Sequence, residues 1–421
     1  MLKRSVDDFA CGGGSPLFDE ALVVGRPPIP SRDALLKRIE AVLDSGHLTN
    51  DGPMVHEFEE QLGRRLQVPH VIAVCNGTVA LQVMALAAGL TGEVIVPSMT
   101  FIATAHALQW VGLTPVFADV DPDNHTLDAA SVERCINERT SAILGVHLWG
   151  NPCDVTALQQ IAERHHLKLL FDASHAFDCE HNGRPIGGCG NAETFSFHAT
   201  KVMHSIEGGA ITTNDDNIAE RCRLLRNFGI AGLTQIDSLG TNAKMNELSA
   251  AAGLTSLESL DSVVQHNQRN LNHYRSVVDA VPGLKLALPD AQECRNAQYV
   301  VVTVDETNFG LSRDHLLTVL RAEGVFARSY FAPGCHNAPP YAGISQHTPT
   351  TLPVTNHLLE VVLQLPTGVT VSETEIHQIG RLLQSAHQHA AQLQEHLNVR
   401  PAAWHPQDTA RPQPVRQLDA A

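Results

Sequence analysis

The 421-residue sequence predicts an α/β fold, with a mainly parallel central sheet and helices on both of its faces. Two observations support this prediction. From residue 71 onward, short apolar segments of strand length recur, and helical segments fall between most of them. Beyond residue 266 the pattern changes to a strand at 298–304 and a helix at 313–323, which indicates a second, smaller α+β domain.

Hydrophobic periodicity predicts the elements in order. A helix begins near Ser31 and carries Ala34, Leu35, Ile39, Val42 and Leu43 on one face. The predicted strands of the central sheet are 71–75, 93–97, 115–119, 141–147, 168–172, 193–197 and 209–213. The predicted helices between them are 78–90, 101–112, 129–138 and 154–166. Residues 245–278 predict one long helix.

These elements divide the chain into four parts. We expect an N-terminal arm at 1–25, a large domain at 26–265, a small domain at 266–398 and a disordered tail at 399–421. The glycines of Cys11–Ser15 predict a flexible stretch within the arm. The tail is rich in proline and lacks a periodic apolar pattern, and its prolines are Pro401, Pro406, Pro412 and Pro414.

Composition excludes several classes of protein. Subtracting 45 acidic residues from 29 basic ones gives a net charge of −16, which argues against binding to nucleic acid or to an anionic membrane. No segment has the apolar length of a membrane span, and no signal-peptide core follows Met1–Arg4. The nine cysteines form no CxxC pair, so we expect reduced thiols and a cytoplasmic location. The pairs His165–His166 and His387/His389 lie on polar stretches, so we expect no metal site there.

The clearest chemical signal is an aspartate that closes one apolar strand and a lysine that follows another. Asp172 ends the strand containing Leu169–Phe171, and Lys201 comes just after Phe195–Phe197. Pyridoxal phosphate needs both groups, because a lysine amine forms a Schiff base with its aldehyde and a carboxylate keeps its pyridine nitrogen protonated. Taken singly, such a lysine is more often a solvated surface residue, and such an aspartate is often a helix cap.

A glycine-containing turn offers a place for the cofactor phosphate. Asn76-Gly77-Thr78 follows the apolar run 71–75 and opens a helix. Free N–H groups and the positive end of a helix dipole suit a phosphate, although an ordinary turn capped by Thr78 explains the same pattern. Asn76, Asp172 and the Lys201 loop would all lie at the carboxyl ends of strands, where ligands bind on such sheets.

Five ordered segments resemble the DegT/DnrJ/StrS family of pyridoxal phosphate-dependent sugar aminotransferases, which have fold type I. The resemblance extends from about Leu22 to about Gln394. The five segments are Asn76–Thr78, Pro97–Phe101, Val146–Pro152, Asp172–Ala176 and the Lys201 stretch with Glu207–Gly209. Some relatives replace the cofactor lysine with histidine and act as dehydratases. The presence of Lys201 therefore favours transamination.

The resemblance implies a role for each matching residue. Lys201 would hold the cofactor and then move a proton, and Asp172 would bind the pyridine nitrogen. The remaining positions are His175 at the ring hydroxyl, Phe101 stacked on the ring, and Ser196, Gly77 and Thr78 at the phosphate. Without the resemblance, His175 would be a packed histidine at a helix start, Phe101 a core residue and Ser196 a serine bonded to the backbone.

The resemblance also implies a homodimer with shared active sites. Asn242 matches an asparagine that reaches the phosphate in the neighbouring subunit. Ala243 and Lys244 stand where the family usually has tyrosine and arginine, which puts a substrate contact of that pair in doubt. Without the resemblance, the segment is a loop followed by a helix with Asn246 as its cap.

Further segments are similar to the branch that aminates C4 of 4-keto-6-deoxy nucleotide sugars, with glutamate as the usual amino donor. They are His198–Lys201, Arg328–His336 and Leu365–Gly368. His336 would contact the sugar or pack beside Tyr341.

Two alternatives remain open: the same fold acting on a 3-keto sugar or cyclitol, and a regulatory protein that binds the cofactor without turnover. Retention of Lys201, Asp172 and Ser196 argues against a regulator. An NAD-dependent enzyme is not expected, because the sequence lacks a Gly-x-Gly-x-x-Gly motif between a first strand and a helix.

Overall fold

A computed structural model describes residues 3–29, 31–287, 296–344, 346–348 and 350–399. The predicted tail at 399–421 lies outside the described residues, apart from Val399. Among the described residues, no helix combines the length and the apolarity needed to cross a membrane.

The structure alternates strands and helices through its first half. In the described residues the strands are β1 (Leu22–Val23), β2 (His70–Val74), β3 (Glu93–Pro97), β4 (Thr114–Ala118), β5 (Thr140–Val146), β6 (Lys168–Asp172), β7 (Glu180–His181), β8 (Arg184–Pro185), β9 (Ala192–Ser196), β10 (Gly209–Thr213), β11 (Ile230–Gly232), β12 (Gln235–Ile236), β13 (Leu284–Leu286), β14 (Val300–Val304), β15 (Val325–Phe326) and β16 (Val362–Leu365). The α-helices are α1 (Arg32–Ser45), α2 (Pro53–Leu66), α3 (Gly77–Ala87), α4 (Ala103–Trp110), α5 (Ala129–Cys135), α6 (Val155–Arg164), α7 (Asp216–Arg226), α8 (Glu247–Glu258), α9 (Leu260–Val278), α10 (Glu306–Phe309), α11 (Arg313–Ala322), α12 (Pro353–Val361), α13 (Glu373–Gln388) and α14 (Ala390–Val399). Short 3-10 helices occur at Val6–Asp8, Ala10–Gly12, Leu148–Gly150 and Cys335–Asn337.

The central sheet has seven strands in the order β2-β10-β9-β6-β5-β3-β4. The pairs β9–β6, β6–β5, β5–β3 and β3–β4 are parallel, so the predicted mainly parallel α/β sheet is confirmed. β10 is antiparallel to both of its neighbours. It returns directly from β9 through the loop 197–208, without a helical crossover, and this reversal makes the pairing antiparallel.

Helices cover the central sheet on both faces, and alternate side chains of each strand enter different cores. On β2, Ile72 and Val74 join one core with α3, whereas Val71 and Ala73 join the other with α2 and α8. This two-sided burial explains why the strands are almost continuously apolar in sequence.

The second half of the chain forms a three-stranded antiparallel sheet, β13-β14-β16, which shares a core with α9, α11 and α13. The N-terminal arm joins this core through Phe9 and Leu22. The buried carboxylate of Glu323 pairs with Lys3 at 2.9 Å and accepts hydrogen bonds from the backbone N–H groups of Ala10 and Leu17.

The predicted flexible stretch at 11–15 is packed instead. The chain turns tightly here: a Cβ atom on Gly12 would lie 2.1 Å from the carbonyl oxygen of Val6, and one on Gly14 would lie 2.2 Å from that of Asp8. Glycine at these positions therefore permits a compact turn.

The single helix predicted at 245–278 is wrong. Two helices, α8 and α9, meet at Ser259, which ends the first and precedes the second. α8 packs on α1 and α2, whereas α9 runs on to pack against α13. No proline or glycine marks this break in the sequence, so tertiary packing decides it. The predicted boundary at 265/266 falls inside α9, and the four-part division stays a prediction.

Candidate active site

Several candidate residues lie where neighbouring strands of the central sheet end. Asp172 is the last residue of β6 and Ser196 the last of β9, and the turn before α3 follows β2. Gly209 of β10 pairs with both Val74 and Ser196. The strand order therefore brings the Gly77 turn, Ser196 and Asp172 to one edge of the sheet.

Lys201 lies in the loop between β9 and β10. Its Nζ donates a hydrogen bond to the Tyr299 hydroxyl at 3.3 Å. Burial lowers the pKa of Lys201 to about 8, although the negative charge of Asp172 partly opposes that change. An amine with this pKa is present in both neutral and protonated forms near neutral pH, so it can both accept and release a proton.

The Asp172 carboxylate is held in a fixed orientation. Only 6% of the residue is exposed. One oxygen accepts a hydrogen bond from the Thr104 hydroxyl at 2.9 Å, and the other accepts one from the Ser174 N–H at 3.1 Å. Thr104 also contacts the Thr100 hydroxyl at 3.0 Å. A buried carboxylate fixed in this way suits the positively charged N–H of a pyridine ring.

His175 is a neutral, closely packed histidine. Its ring lies 4.5 Å from the ring of Tyr299 and stacks at 5.8 Å on Trp149 and at 6.0 Å on Phe331. Burial, together with the charge of Lys201, holds the pKa of His175 well below its ordinary value. His175 Nδ1 accepts a hydrogen bond from the backbone N–H of Trp149 at 3.4 Å. The proton of the neutral ring therefore lies on Nε2, which is a donor.

The turn before α3 forms a close-fitting cradle. A Cβ atom on Gly77 would lie 2.8 Å from Cβ of Ser196, and one on Gly209 would lie 2.8 Å from the Gly77 nitrogen. Backbone N–H groups at a helix start and an adjacent serine hydroxyl suit a phosphate. The N-cap is Asn76, whose side chain accepts the Val79 N–H at 2.9 Å, so the alternative with Thr78 as cap is wrong.

Phe101 and His336 lie at the rim of the same edge. Phe101 follows β3, is 57% exposed, and its ring centre lies 6.4 Å from that of Phe331. The His336 ring contacts the Ser98 hydroxyl through Nδ1 at 2.6 Å and Asn356 through Nε2 at 3.0 Å. Since protein groups engage both ring nitrogens, a hydrogen bond from His336 to a sugar would require one of them to exchange partner.

Asn242 lies on an exposed segment beside α7, opposite Asn227. Lys244, which replaces the usual arginine, donates to Asn227 at 3.0 Å and lies 4.7 Å above the Phe228 ring. Lys244 therefore supports the base of the β11–β12 hairpin. Asn246 caps α8, as the sequence predicts.

Beneath the Asp172 strand, His147 stacks on Phe171 at 4.5 Å and faces Glu193 at 3.4 Å, with all three side chains buried. With Cys189 these groups have the composition of a metal site. However, His147 Nδ1 accepts the Cys153 N–H at 3.0 Å, so Nε2 carries the ring proton and faces the carboxylate. A histidine that binds a metal through Nε2 carries its ring proton on Nδ1 instead. We therefore interpret His147 and Glu193 as a structural pair.

Sequence reasoning missed two residues of the site. Thr104, which contacts the Asp172 carboxylate, lies in the first turn of α4, and no pattern in the sequence links it to Asp172. Tyr299 begins an apolar run in the other half of the chain, and no sequence pattern links it to Lys201.

Comparisons with known proteins identify the family of the chain. The sequence model of the DegT/DnrJ/EryC1/StrS aminotransferase family matches residues 31–384. The chain is 36% identical to a dTDP-4-amino-4,6-dideoxy-D-glucose transaminase of Shigella dysenteriae, over 75% of this chain and 86% of the relative. It is 33% identical to the Escherichia coli transaminase of that name, over 87% of this chain and 98% of the relative. Among solved structures, DesI in the presence of its TDP-sugar product superimposes with a TM-score of 0.90 and 46% identity, covering 94% of this chain and 100% of DesI.

Proposed function

The chain belongs to the DegT/DnrJ/EryC1/StrS aminotransferase family, and we propose that it aminates C4 of a 4-keto-6-deoxy nucleotide sugar, with glutamate as the amino donor. It is a pyridoxal phosphate-dependent aminotransferase of fold type I.

The observation that carries the proposal is the grouping of half-buried Lys201 with buried Asp172 and His175, at the sheet edge that also carries the Gly77 turn. When bound, pyridoxal phosphate supplies an aldehyde and a ring that accepts electrons. Lys201 would hold the cofactor and then carry the proton between the donor α-carbon and the cofactor. Asp172 would bind the ring nitrogen, and His175 would donate from Nε2 to the ring hydroxyl. Phe101 would cover the ring.

The phosphate would lie between Gly77, Thr78 and Ser196. The first turn of α3 presents backbone N–H groups there, and the Thr78 side chain is exposed at that turn. Glycine at positions 77 and 209 allows the turn, β10 and Ser196 to approach one another closely, because neither glycine has a side chain.

The substrate assignment is supported by the names of the two transaminases, which act on a dTDP-linked 4-amino-4,6-dideoxy sugar. Transamination is reversible, so an enzyme that removes the amino group from a 4-amino sugar also adds an amino group to the corresponding 4-keto sugar. The alternative of a regulator without turnover is not favoured, because the relatives are named transaminases and Lys201 and Asp172 are both retained.

A substrate screen tests this proposal. Purified enzyme and glutamate are incubated with matched 4-keto and 3-keto nucleotide sugars, and the products are identified by mass. We expect an amino sugar from a 4-keto-6-deoxy substrate and none when Lys201→Ala replaces the native chain. Amination of only the 3-keto substrates, or of none, would contradict the C4 assignment.

We also propose a homodimer with shared sites. The β11–β12 hairpin exposes a set of large apolar side chains, and Asn242 follows it on the same exposed segment. The set is Phe228, Ile230, Leu233, Ile236 and Leu239. Clustered exposed apolar groups mark an association surface, and a second copy would cover them while bringing Asn242 to the phosphate of the partner.

Mixing two inactive variants is expected to restore activity. Lys201→Ala and Asn242→Ala chains in equal amounts would give heterodimers in half of the molecules, with one complete site in each. Recovery should therefore approach about a quarter of native activity. Subunit exchange is first verified by mass, and each variant must be inactive alone. Exchange without recovery, or full activity of a monomer, would exclude a shared site.

A cytoplasmic location completes the proposal. Cys135, Cys153, Cys222 and Cys335 are buried thiols, which suits a reducing compartment.

A further inference from the structure

We infer that Gln298 and Tyr299, which immediately precede β14, are positioning residues that hold Lys201 from the second half of the chain. The inference rests on the proposed role of Lys201. Gln298 fixes the loop on both sides of the lysine, and Tyr299 holds the amine itself.

The Gln298 side chain brackets Lys201. Its amide oxygen accepts the Val202 N–H at 3.0 Å, and its amide nitrogen donates to the Thr200 carbonyl at 3.2 Å. The two peptide groups next to Lys201 are therefore tied to a single side chain. A glutamine amide can make this double contact because it carries an acceptor and a donor side by side.

The same segment is attached to the His175 turn. Asn296 is fully buried, and its side-chain nitrogen donates to the carbonyls of His175 and Phe177 at 3.0 and 2.9 Å. Its side-chain oxygen accepts the Gln298 N–H at 3.0 Å. Residues 296–299 thus join the two large-domain loops that carry His175 and Lys201, and their relative position depends on this segment.

Tyr299 supplies the contact to the amine. The residue is 7% exposed, and its ring packs against His175 and Trp149. Burial raises the pKa of Tyr299, so the side chain stays a neutral hydroxyl. Its oxygen accepts a hydrogen bond from Lys201 Nζ at 3.3 Å.

This contact matters at the stage when the lysine is free. Lys201 would have no covalent link once the amino group is on the cofactor, and its amine would then have to stay within reach of the reacting carbon. A hydroxyl acceptor stabilises the protonated amine, which burial otherwise disfavours. Loss of the hydroxyl should therefore lower the pKa of Lys201 further and free the side chain to move.

Cyanate labelling of the amine tests the inference, because cyanate reacts with the neutral amine. Full-length enzyme loaded with pyridoxamine phosphate is labelled across a pH series, and carbamylated Lys201 is quantified by mass. Tyr299→Phe keeps the ring and removes only the hydroxyl. We expect its labelling midpoint to fall by about 1 to 2 pH units, the shift that corresponds to loss of one hydrogen bond to a charged group. Gln298→Ala should leave the midpoint unchanged and raise the labelling rate several-fold.

Tyr330→Phe is the matched control. The Tyr330 hydroxyl accepts from Arg328 at 2.6 Å, so its loss should leave Lys201 labelling unchanged. Equal midpoints for native enzyme and Tyr299→Phe would overturn the role of Tyr299, and an unchanged rate in Gln298→Ala would overturn that of Gln298.

A parallel arm uses resting enzyme with pyridoxal phosphate, where the covalent link should protect Lys201. Absence of protection would contradict the proposed function instead, so the two failures are distinguishable.

Discussion

Replacement of Lys201 with alanine is expected to abolish amino transfer, with a loss of at least about 10³- to 10⁴-fold in turnover, because one residue both holds the cofactor and transfers the proton. Native enzyme should be yellow, and borohydride should attach the cofactor permanently to the peptide that contains Lys201. The Lys201→Ala protein should bind the cofactor only without this attachment. Both results are read by peptide mass and by turnover with glutamate.

Lys168→Ala is the matched control for this experiment. Lys168 is an exposed lysine at the start of β6, four residues before Asp172, so its removal should change neither turnover nor labelling. Attachment of the cofactor to a peptide centred on another lysine would show that Lys201 does not have the proposed role.

Replacement of Asp172 with asparagine is expected to leave the cofactor bound while slowing its reaction with glutamate by about 10²- to 10³-fold, because an amide cannot hold a proton on the ring nitrogen. The proposed phosphate site at Gly77 and Ser196 is unchanged in this variant, so affinity for the cofactor should survive. Bound cofactor is measured by absorbance, and the half-reaction by its rate of colour loss after glutamate is added.

Asp216→Asn provides the control, since the Asp216 carboxylate is exposed and contacts only His70 among the described groups. This variant should react normally. A near-normal half-reaction in Asp172→Asn would remove Asp172 from the mechanism. Loss of bound cofactor together with loss of stability would instead indicate that the amide disturbs the Thr104 and Ser174 contacts, which a thermal melt would detect.

Local features of the sequence predict the central sheet well. All seven predicted strands form, and β2, for example, is shifted by one residue from the predicted 71–75. Strands buried on both faces must be almost wholly apolar, so hydrophobicity marks them without knowledge of their partners. The helix cap at Asn246 is likewise predictable from local sequence, because an N-cap side chain bonds only to N–H groups in the first turn of its own helix.

Other features depend on contacts between distant segments. The break at Ser259 occurs because α8 packs on α1 and α2 while α9 packs on α13. The glycine-rich arm is closely packed because Glu323 accepts hydrogen bonds from its Ala10 and Leu17 N–H groups and Phe9 enters the core that contains β14. Neither the carboxylate nor the core lies near the arm in sequence, so local composition suggests flexibility where packing imposes order.

Residue type and the order of short segments are enough to predict the α/β class, the family and the chemical groups at Asp172 and Lys201. The surroundings of these two side chains depend on how distant segments pack together. Tyr299 lies 98 residues from Lys201 in sequence and reaches it because the strand that it precedes packs against the central sheet. A contact of this kind leaves no periodic pattern, because it is fixed by how two cores pack together and not by the backbone repeat of either segment.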